Sequence, residues 1–496
     1  MRRITIDPVT RLEGHGKIDI FVNDAGDVEQ AYVQIPELRG FEELCIGRPA
    51  EEMPRITTRI CGICPEAHHL ASVKALDQLF DVTPTAAATR LRELLYSTFV
   101  VTDHTTHFFV LAGPDFLLDP DTPVSDRTFF GVLRQLSTTA AGQLVKLRQR
   151  NFEVIKILGG RSVHPVAGLP GGWSHPLSQD SRKEIETVAR SNVELAHSCL
   201  QLFKDKVLPH PVFSSMMNAE SSTDRTHSMG TVDEDNRLNL YDGQIRVVDP
   251  DGEELHRYPA SRYLEFVDER VVPWSYVKFP YLKKIGWKGL VGGKDSGVYT
   301  AMPLARLNCA DSMATPGAQE HFEEMFSTLG SRRTNGRFEP VHNRMANHWA
   351  RLIELLYAAE RMLELATHPE ITDDDVRTAV TATPHEGIGS VEAPRGTLIH
   401  HYQTDERGIL EQVNLIVGTT NNHAAMAMSV TKTAKALIKR GVVVTEKLLN
   451  QIEMVFRSYD PCLSCASHSY PGLGLEVRIR DSQGAVLEVL RSKKAT

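Results

Sequence analysis

Four of the chain's seven cysteines form two Cys-x-x-Cys pairs near its opposite ends: Cys61 with Cys64 in RICGICPEAH, and Cys462 with Cys465 in DPCLSCASH. Thiolates are soft ligands, and four of them can enclose one metal centre. On spacing alone, the default reading is a structural zinc ion held tetrahedrally by four sulfurs, with an iron–sulfur cluster next. Zinc ribbons, however, keep their two pairs close in sequence. Most of this chain lies between them, which suits a reactive metal buried in a large core better than a staple. Cys45, Cys199 and Cys309 fit no ligand pattern and read as small buried apolar residues.

Other reactive side chains recur around the pairs. Glu13 lies in TRLEGH, Arg395 follows Pro394 in EAPRGT, Asp115 and Asp460 sit in GPDF and SYDPC, and His68 comes four residues after Cys64. Taken singly, these are the signatures of a solvated glutamate, an ion-paired arginine or a core histidine. In order along the chain they belong to a series: DPVTRLEGHGKI (7–18), RGFEELCIGRP (39–49), RICGICPEAH (59–68), HFFVLAGPDF (107–116), GGRSVHP (159–165), EAPRGTLIHH (392–401), LIVGTTNN (415–422) and DPCLSCASH (460–468). With this series the chain resembles the large subunit of a [NiFe] hydrogenase, from about residue 3 to the C-terminus.

The resemblance implies a nickel held by four thiolates, and an iron that shares two of them and carries carbonyl and two cyanide ligands. Cys61 and Cys462 would be terminal on nickel, while Cys64 and Cys465 would bridge to iron. Glu13 would be the base that takes a proton from Cys462. Arg395, after Pro394, would be a fixed cation over the open side of the metals, held by Asp115 and Asp460. Thr419 would donate a hydrogen bond to a cyanide; Gly418 replaces the family's usual proline, so Thr420 is an alternative donor. His68 would hydrogen-bond a ligand sulfur, and Glu42 and His468 would bind magnesium. His104, His107 and His164 read as core histidines.

The segment after His468, SYPGLGLEVRIRDSQGAVLEVLRSKKAT, reads as a hairpin turning at Asp481 to Gly484. By resemblance, 1–468 is one large-subunit domain, and 469–496 is a processing peptide removed by a maturation endopeptidase. That peptide would hold the site open, and His468 would reach the magnesium site only after cleavage. Electrons would leave through iron–sulfur clusters of a small subunit, since the remaining cysteines supply no cluster motif. A further electron-transfer subunit is implied as well: iron–sulfur, heterodisulfide reductase or flavin. QIPELRGFEELCIGRP and CPEAHH are most similar to cytoplasmic enzymes of the methyl-viologen-reducing type, with NAD(P)-linked and deazaflavin-linked relatives as competitors. Retention of all four cysteines separates the chain from the quinone-linked subunit of respiratory complex I, the alternative beside a structural zinc protein.

The elements that must position these residues follow from periodicity. Alternation through Ile4 and Ile6, then Ile18, Ile20 and Val22, with a return through Ala31, Val33 and Ile35, predicts an N-terminal hairpin turning at 24–27. Helical spacing predicts helices from Thr85 onward and at about 127–157, 178–206, 343–366 and 423–440, the 343–366 segment with one apolar face. YDGQIRVVDPDGEEL predicts a hairpin within a β-rich insertion at about 238–300. The pattern is that of a mainly helical α+β fold: a central helix bundle, an N-terminal sheet and that insertion. The glycine-flanked loop around His164 lacks the GK[ST] ending of a phosphate loop. A net charge of −8 over 496 residues argues against a nucleic-acid partner. The N-terminal MRRITIDPVTRLEG has no apolar signal core, no window suits a membrane span, and CxxC usage suits a reducing compartment, here read as the cytoplasm.

Overall fold

The computed structural model describes residues 2–119, 122–272, 274–334, 336–383, 385–469, 476–481 and 485–491. It opens with an antiparallel meander of β1 (Arg2–Ile6), β2 (Lys17–Val22) and β3 (Val28–Gln34). The expected hairpin is β2 with β3, and β1 adds a third strand with Ile4 opposite Ile20.

Four long helices build the central bundle after α1 (Pro65–Leu79): α2 (Ala86–Thr106), α3 (Thr138–Gly159), α4 (Gln179–Leu202) and α5 (Asn347–Thr367). The starts of α2, α3 and α4 are set by side-chain caps, in which a hydroxyl oxygen takes one of the N–H groups left over in the first turn. Thr85 accepts from Ala88, Ser137 from Ala140 and Ser178 from Ser181, each at 3.2 Å. The Ser137 cap also explains why the helix expected at 127–157 is two. Phe129–Gln135 ends at an extended Leu136, and Ser137 starts α3 afresh.

Helix α5 differs from expectation too. Every residue from Asn347 to Ala359 is buried, because α2 and α4 pack along it and cover the face expected to be polar. Helix α2 runs on into a π-helical turn, His107–Ala112, before the short helix Gly113–Phe116.

The β-rich region starts earlier than expected, at His227. Strands β4 (His227–Val232), β5 (Gln244–Val248) and β6 (Glu254–Tyr258), with the short strand Tyr299–Thr300, make a four-stranded sheet beside the hairpin β7 (Val267–Val272) and β8 (Ser275–Leu282). Gly230 hid β4 from the sequence pattern, and it is needed there: a Cβ would lie 2.8 Å from the Arg306 Cα.

A third meander, β9 (Glu386–Ala393), β10 (Gly396–Thr404) and β11 (Leu410–Ile416), lies against α1. Gly387 and Gly389 permit this approach, since a Cβ at either would sit 2.1 Å from a carbonyl oxygen of α1. Helices α6 (His423–Leu437) and α7 (Glu446–Ser458) share an apolar cluster with the N-terminal meander, through Ile18, Ile20, Val430 and Phe456. The tail forms β12 (Glu476–Arg480) and β13 (Val486–Arg491), an antiparallel pair; the predicted turn falls partly outside the described residues. Among the described residues no helix is long and apolar enough to cross a membrane.

Candidate metal centre

The two Cys-x-x-Cys pairs meet inside the main apolar cluster. Cys61 follows the helical turn Thr57–Ile60 in an extended conformation, and Cys64 stands just before α1. Cys462 precedes the short helix Leu463–Ala466, which contains Cys465. The four Sγ atoms lie within 4.8 Å of one another. Cys61 is 3.4 Å from Cys462, Cys64 is 3.3 Å from Cys465, and Cys462 is 2.9 Å from Cys465. All four are buried and none is in a disulfide, so the group is a ligand set for a metal. Hydrogen bonds from its sulfur neighbours hold the Cys61 thiol well below its ordinary pKa, whereas burial pushes Cys462 and Cys465 up.

Glu13 is delivered by the loop after β1. Its carbonyl accepts from Leu463 N at 2.9 Å, and its Oε2 lies 3.0 Å from both Cys462 Sγ and Ser464 N. Gly14, at φ +81°, lets the loop pass this closely, for a Cβ there would be 2.8 Å from Ser464 N. Burial raises the Glu13 carboxyl above its ordinary value and charge on Cys61 adds to this, so it is a stronger base than a surface glutamate.

Pro394 and Arg395 form the two-residue turn between β9 and β10, closed by the pairing of Ala393 with Gly396. Arg395 Nη1 is 3.0 Å from Asp103 Oδ1, its Nη2 is 3.1 Å from Asp460 Oδ2, and its Nε donates to the Asp460 carbonyl at 2.9 Å. Asp460 takes a left-handed backbone (φ 52°), unusual outside glycine, which the surrounding ion pairs must hold. His107 Nδ1 and Arg351 Nη1 each approach its carboxylate at 3.1 Å. Burial alone would raise the Asp460 pKa, but Arg395, His107 and Arg351 outweigh it and keep the group ionised.

The pairing expected for Asp115 is therefore corrected: Asp103 holds Arg395 in its place. Asp115 binds Arg457, at 2.9 Å from Nε and 3.1 Å from Nη2, and Arg11 Nη2 at 2.5 Å. Sequence reasoning also missed Arg351 and passed over His107. The available signal was an Asp-His-x-x-His run, Asp103, His104 and His107, inside an otherwise apolar helical stretch. His104 is a paired core histidine, with Nε2 3.1 Å from Glu354, and His164 is half-buried against the Thr58 carbonyl at 3.0 Å.

Thr419 Oγ1 accepts from Cys462 N at 2.9 Å. His68 Nε2 is 3.6 Å from Cys465 Sγ, and burial lowers the His68 pKa to about 4, so the ring is neutral. Glu42 and His468 do come together, with His468 Nε2 3.6 Å from Glu42 Oε1 and 2.7 Å from the Leu415 carbonyl. His468 is fully buried in this position. Its seat is set by backbone pairing: Arg39 N donates to Ser467 O at 3.0 Å and Phe41 N to His468 O at 2.6 Å. Cys45, Cys199 and Cys309 are buried apart from the cluster, and burial pushes their thiols up, Cys45 to about 11 and Cys309 to about 12.

A buried four-thiolate cluster flanked by a carboxylate and a guanidinium defines the class: a metal-binding protein. The family model described as nickel-dependent hydrogenase matches residues 39–121 and 142–468, and one described as HoxL-like matches 3–38. The chain belongs to the nickel-dependent hydrogenase family. It is 45% identical to the iron-sulfur subunit of the F420-non-reducing hydrogenase of Archaeoglobus profundus, over 99% of this chain and 100% of that one. It is 36% identical to the NAD-reducing hydrogenase HoxS subunit beta of Cupriavidus necator, over 98% and 99%. Among solved structures, an NAD+-reducing [NiFe]-hydrogenase in the H2-reduced state superimposes with a TM-score of 0.86 at 37% identity, covering 94% of this chain and 100% of that one. The [NiFeSe]-hydrogenase of Dm. baculatum shares the fold at 23% identity, with a TM-score of 0.71 over 94% of this chain and 100% of that one. The chain is thus the catalytic subunit of a [NiFe] hydrogenase, an oxidoreductase acting on H2, and neither the zinc nor the quinone-linked alternative is favoured.

Proposed function

We propose that this chain splits H2 reversibly and heterolytically at a nickel–iron centre that the four cysteines would hold, Cys61 and Cys462 as ligands to nickel alone and Cys64 and Cys465 as ligands shared with iron. The centre, with carbonyl and two cyanide ligands on iron, supplies a place where H2 is polarised and two electrons are taken up. The residues fit such a group. A small pocket is lined by Cys64, Cys462 and Cys465 together with Arg395, Thr419 and the apolar Leu398 and Val417. Donors for cyanide nitrogens and an apolar wall for a carbonyl are therefore both present. Arg395 donates Nε–H to the Asp460 carbonyl and Nη1–H to Asp103, and its Nη2 lies in an ion pair 3.1 Å from Asp460, so its hydrogen bonds do not use all five N–H groups. Thr419 accepts from Cys462 N and keeps its own proton to donate; Thr420 is buried but not part of that lining, which favours Thr419.

The proton passes from Cys462 Sγ to Glu13 Oε2, and their 3.0 Å contact is the observation that carries the reading. Glu13→Gln keeps the shape and removes the base. H2 oxidation should fall by about 10²–10⁴-fold with nickel content unchanged; a wild-type rate would refute the assignment.

For magnesium, Glu42, His468 and the Leu415 carbonyl offer convergent donors, and the buried Glu269 Oε1 has no partner. Lys278 lies 3.5 Å from Glu42 and 3.2 Å from Glu269, one cation against two carboxylates, which leaves a charge for a divalent ion to balance. The electrons go to iron–sulfur clusters of a small subunit, then to a further electron-transfer subunit, in a cytoplasmic complex. The relatives' names as subunits of F420-non-reducing and NAD-reducing hydrogenases support partner subunits. Residues 1–468 form the large-subunit domain, and 469–496 are removed after His468 by an endopeptidase. The exposed Leu487 and Leu490 of β13 support a tail that is not kept. The intact mass of active enzyme should end at His468, and a full-length chain would refute this.

A further inference from the structure

Arg395 is carried by the turn between β9 and β10, so its aim depends on what fixes that turn. Helix α5 meets the turn with Arg351, which is 1% exposed. A single nitrogen, Arg351 Nη1, donates to the Pro394 carbonyl at 3.1 Å and lies 3.1 Å from Asp460 Oδ2. The Pro394 carbonyl belongs to the peptide that joins residue 394 to Arg395, and Asp460 Oδ2 is the atom that Arg395 Nη2 faces. One cation thus ties the peptide at the root of the Arg395 side chain to the carboxylate that receives its far end. A guanidinium keeps its charge and only donates, so these contacts have one possible direction.

The neighbouring Arg306 does a different task. Its Nε and Nη2 meet Glu354 at 2.7 and 2.6 Å, and its Nη1 donates to the Ala393 carbonyl at 2.7 Å. It steadies the strand that enters the turn, but among the described residues Arg306 makes no ion pair with Asp460 or Asp103. Asp460 is also not left alone without Arg351, since His107 Nδ1 stays 3.1 Å from its Oδ1. Losing Arg351 should therefore misdirect the Arg395 guanidinium rather than release it.

Resting on the reading of Arg395 as the cation that acts at the nickel–iron centre, we propose that Arg351 is a positioning residue for H2 cleavage. It sets the direction of the Arg395 guanidinium by holding its backbone turn and its carboxylate partner at once. A reacting group displaced by about 1 Å can lose 10²-fold in rate. H2 carries no charge, so the loss falls on turnover and not on substrate binding.

The test uses the purified holo-complex, with nickel measured in wild type, Arg351→Met, Arg351→Lys, Arg395→Lys and the double variant of Arg351→Met with Arg395→Lys. Arg351→Met should lower kcat for H2 oxidation per bound nickel by about 10- to 100-fold with KM for H2 unchanged. Arg351→Lys, whose ammonium still donates, should recover part of that loss. The double variant should stay within about twofold of Arg395→Lys, because the fork that Arg351 aims is already gone. A full rate in nickel-loaded Arg351→Met, or losses that multiply in the double variant, overturns the proposal alone. If Arg351→Met does not load nickel, Arg351→Lys and its double variant with Arg395→Lys are judged by the same two results. A full rate in Arg395→Lys overturns the reading of Arg395, and this inference with it.

Discussion

Two buried arginines near the metal centre are built from the same parts and do different work. Arg457 spends all its donors: Nε and Nη2 on Asp115, Nη2 also on Asn450, and Nη1 on the Thr10 carbonyl and Glu453. Arg395 meets two carboxylates as well, Asp103 and Asp460, but its hydrogen bonds leave part of the fork unspent, and it lies on the pocket lined by Cys64, Cys462 and Cys465. A saturated guanidinium is a tie. An unsaturated one, held rigidly against a cavity, is a tool. With Arg11, the Arg457 cluster fastens the segment that carries Glu13 to α7, while the Arg395 cluster holds a cation beside the four cysteines.

Substitutions at the two clusters should therefore fail in different ways. Asp115→Asn leaves Arg457 and Arg11 short of a counter-charge and should cost about 3–5 kcal/mol of stability. It should lower the thermal midpoint while the rate per bound nickel stays near wild type. Its pH dependence follows from the Asp115 pKa. Burial would raise it, but Arg457 and Arg11 prevail and hold it at about 2. An unfolded aspartate titrates near ~3.9, so the stability gained from Asp115 is complete above about pH 4 and is lost as pH falls toward 2. Acid titration of the thermal midpoint should show that loss in wild type and not in Asp115→Asn.

Arg395→Lys keeps the charge but not the fork. It should lower H2 oxidation by about 10²–10³-fold, or ~2.7–4 kcal/mol, with nickel retained. A comparable loss in Arg457→Lys, per bound nickel, would erase the distinction. Asp103→Asn removes one of the two carboxylates around Arg395 and should cost about tenfold, near 1.4 kcal/mol, in the same assay. An unchanged rate would show that Asp460 alone suffices.

The four cysteines, Glu13 and Arg395 were legible because each sits in a short local motif whose backbone geometry needs few distant partners. The identity of the carboxylate opposite Arg395 was not. Asp103 and Asp115 lie on one continuous helical path, and the π-helical turn His107–Ala112 between them shifts the helix phase, so spacing could not say which one faces β9 and β10. Arg351 was hidden for another reason. On α5 it falls among polar residues that look solvent-facing until α2 and α4 are seen to cover them. The hairpins at 244–258 and 476–491 were legible from alternation and turn residues alone, whereas β4 was not, because Gly230 breaks its pattern to make room for Arg306.

Four thiolates gathered from both ends of the chain are held here to carry a nickel–iron centre with diatomic ligands, and infrared spectroscopy of the active, mature complex tests this most directly. One carbonyl and two cyanide stretches should appear, with nickel and iron in equal amounts per chain. Active enzyme without those bands, or with zinc in place of nickel, would contradict it.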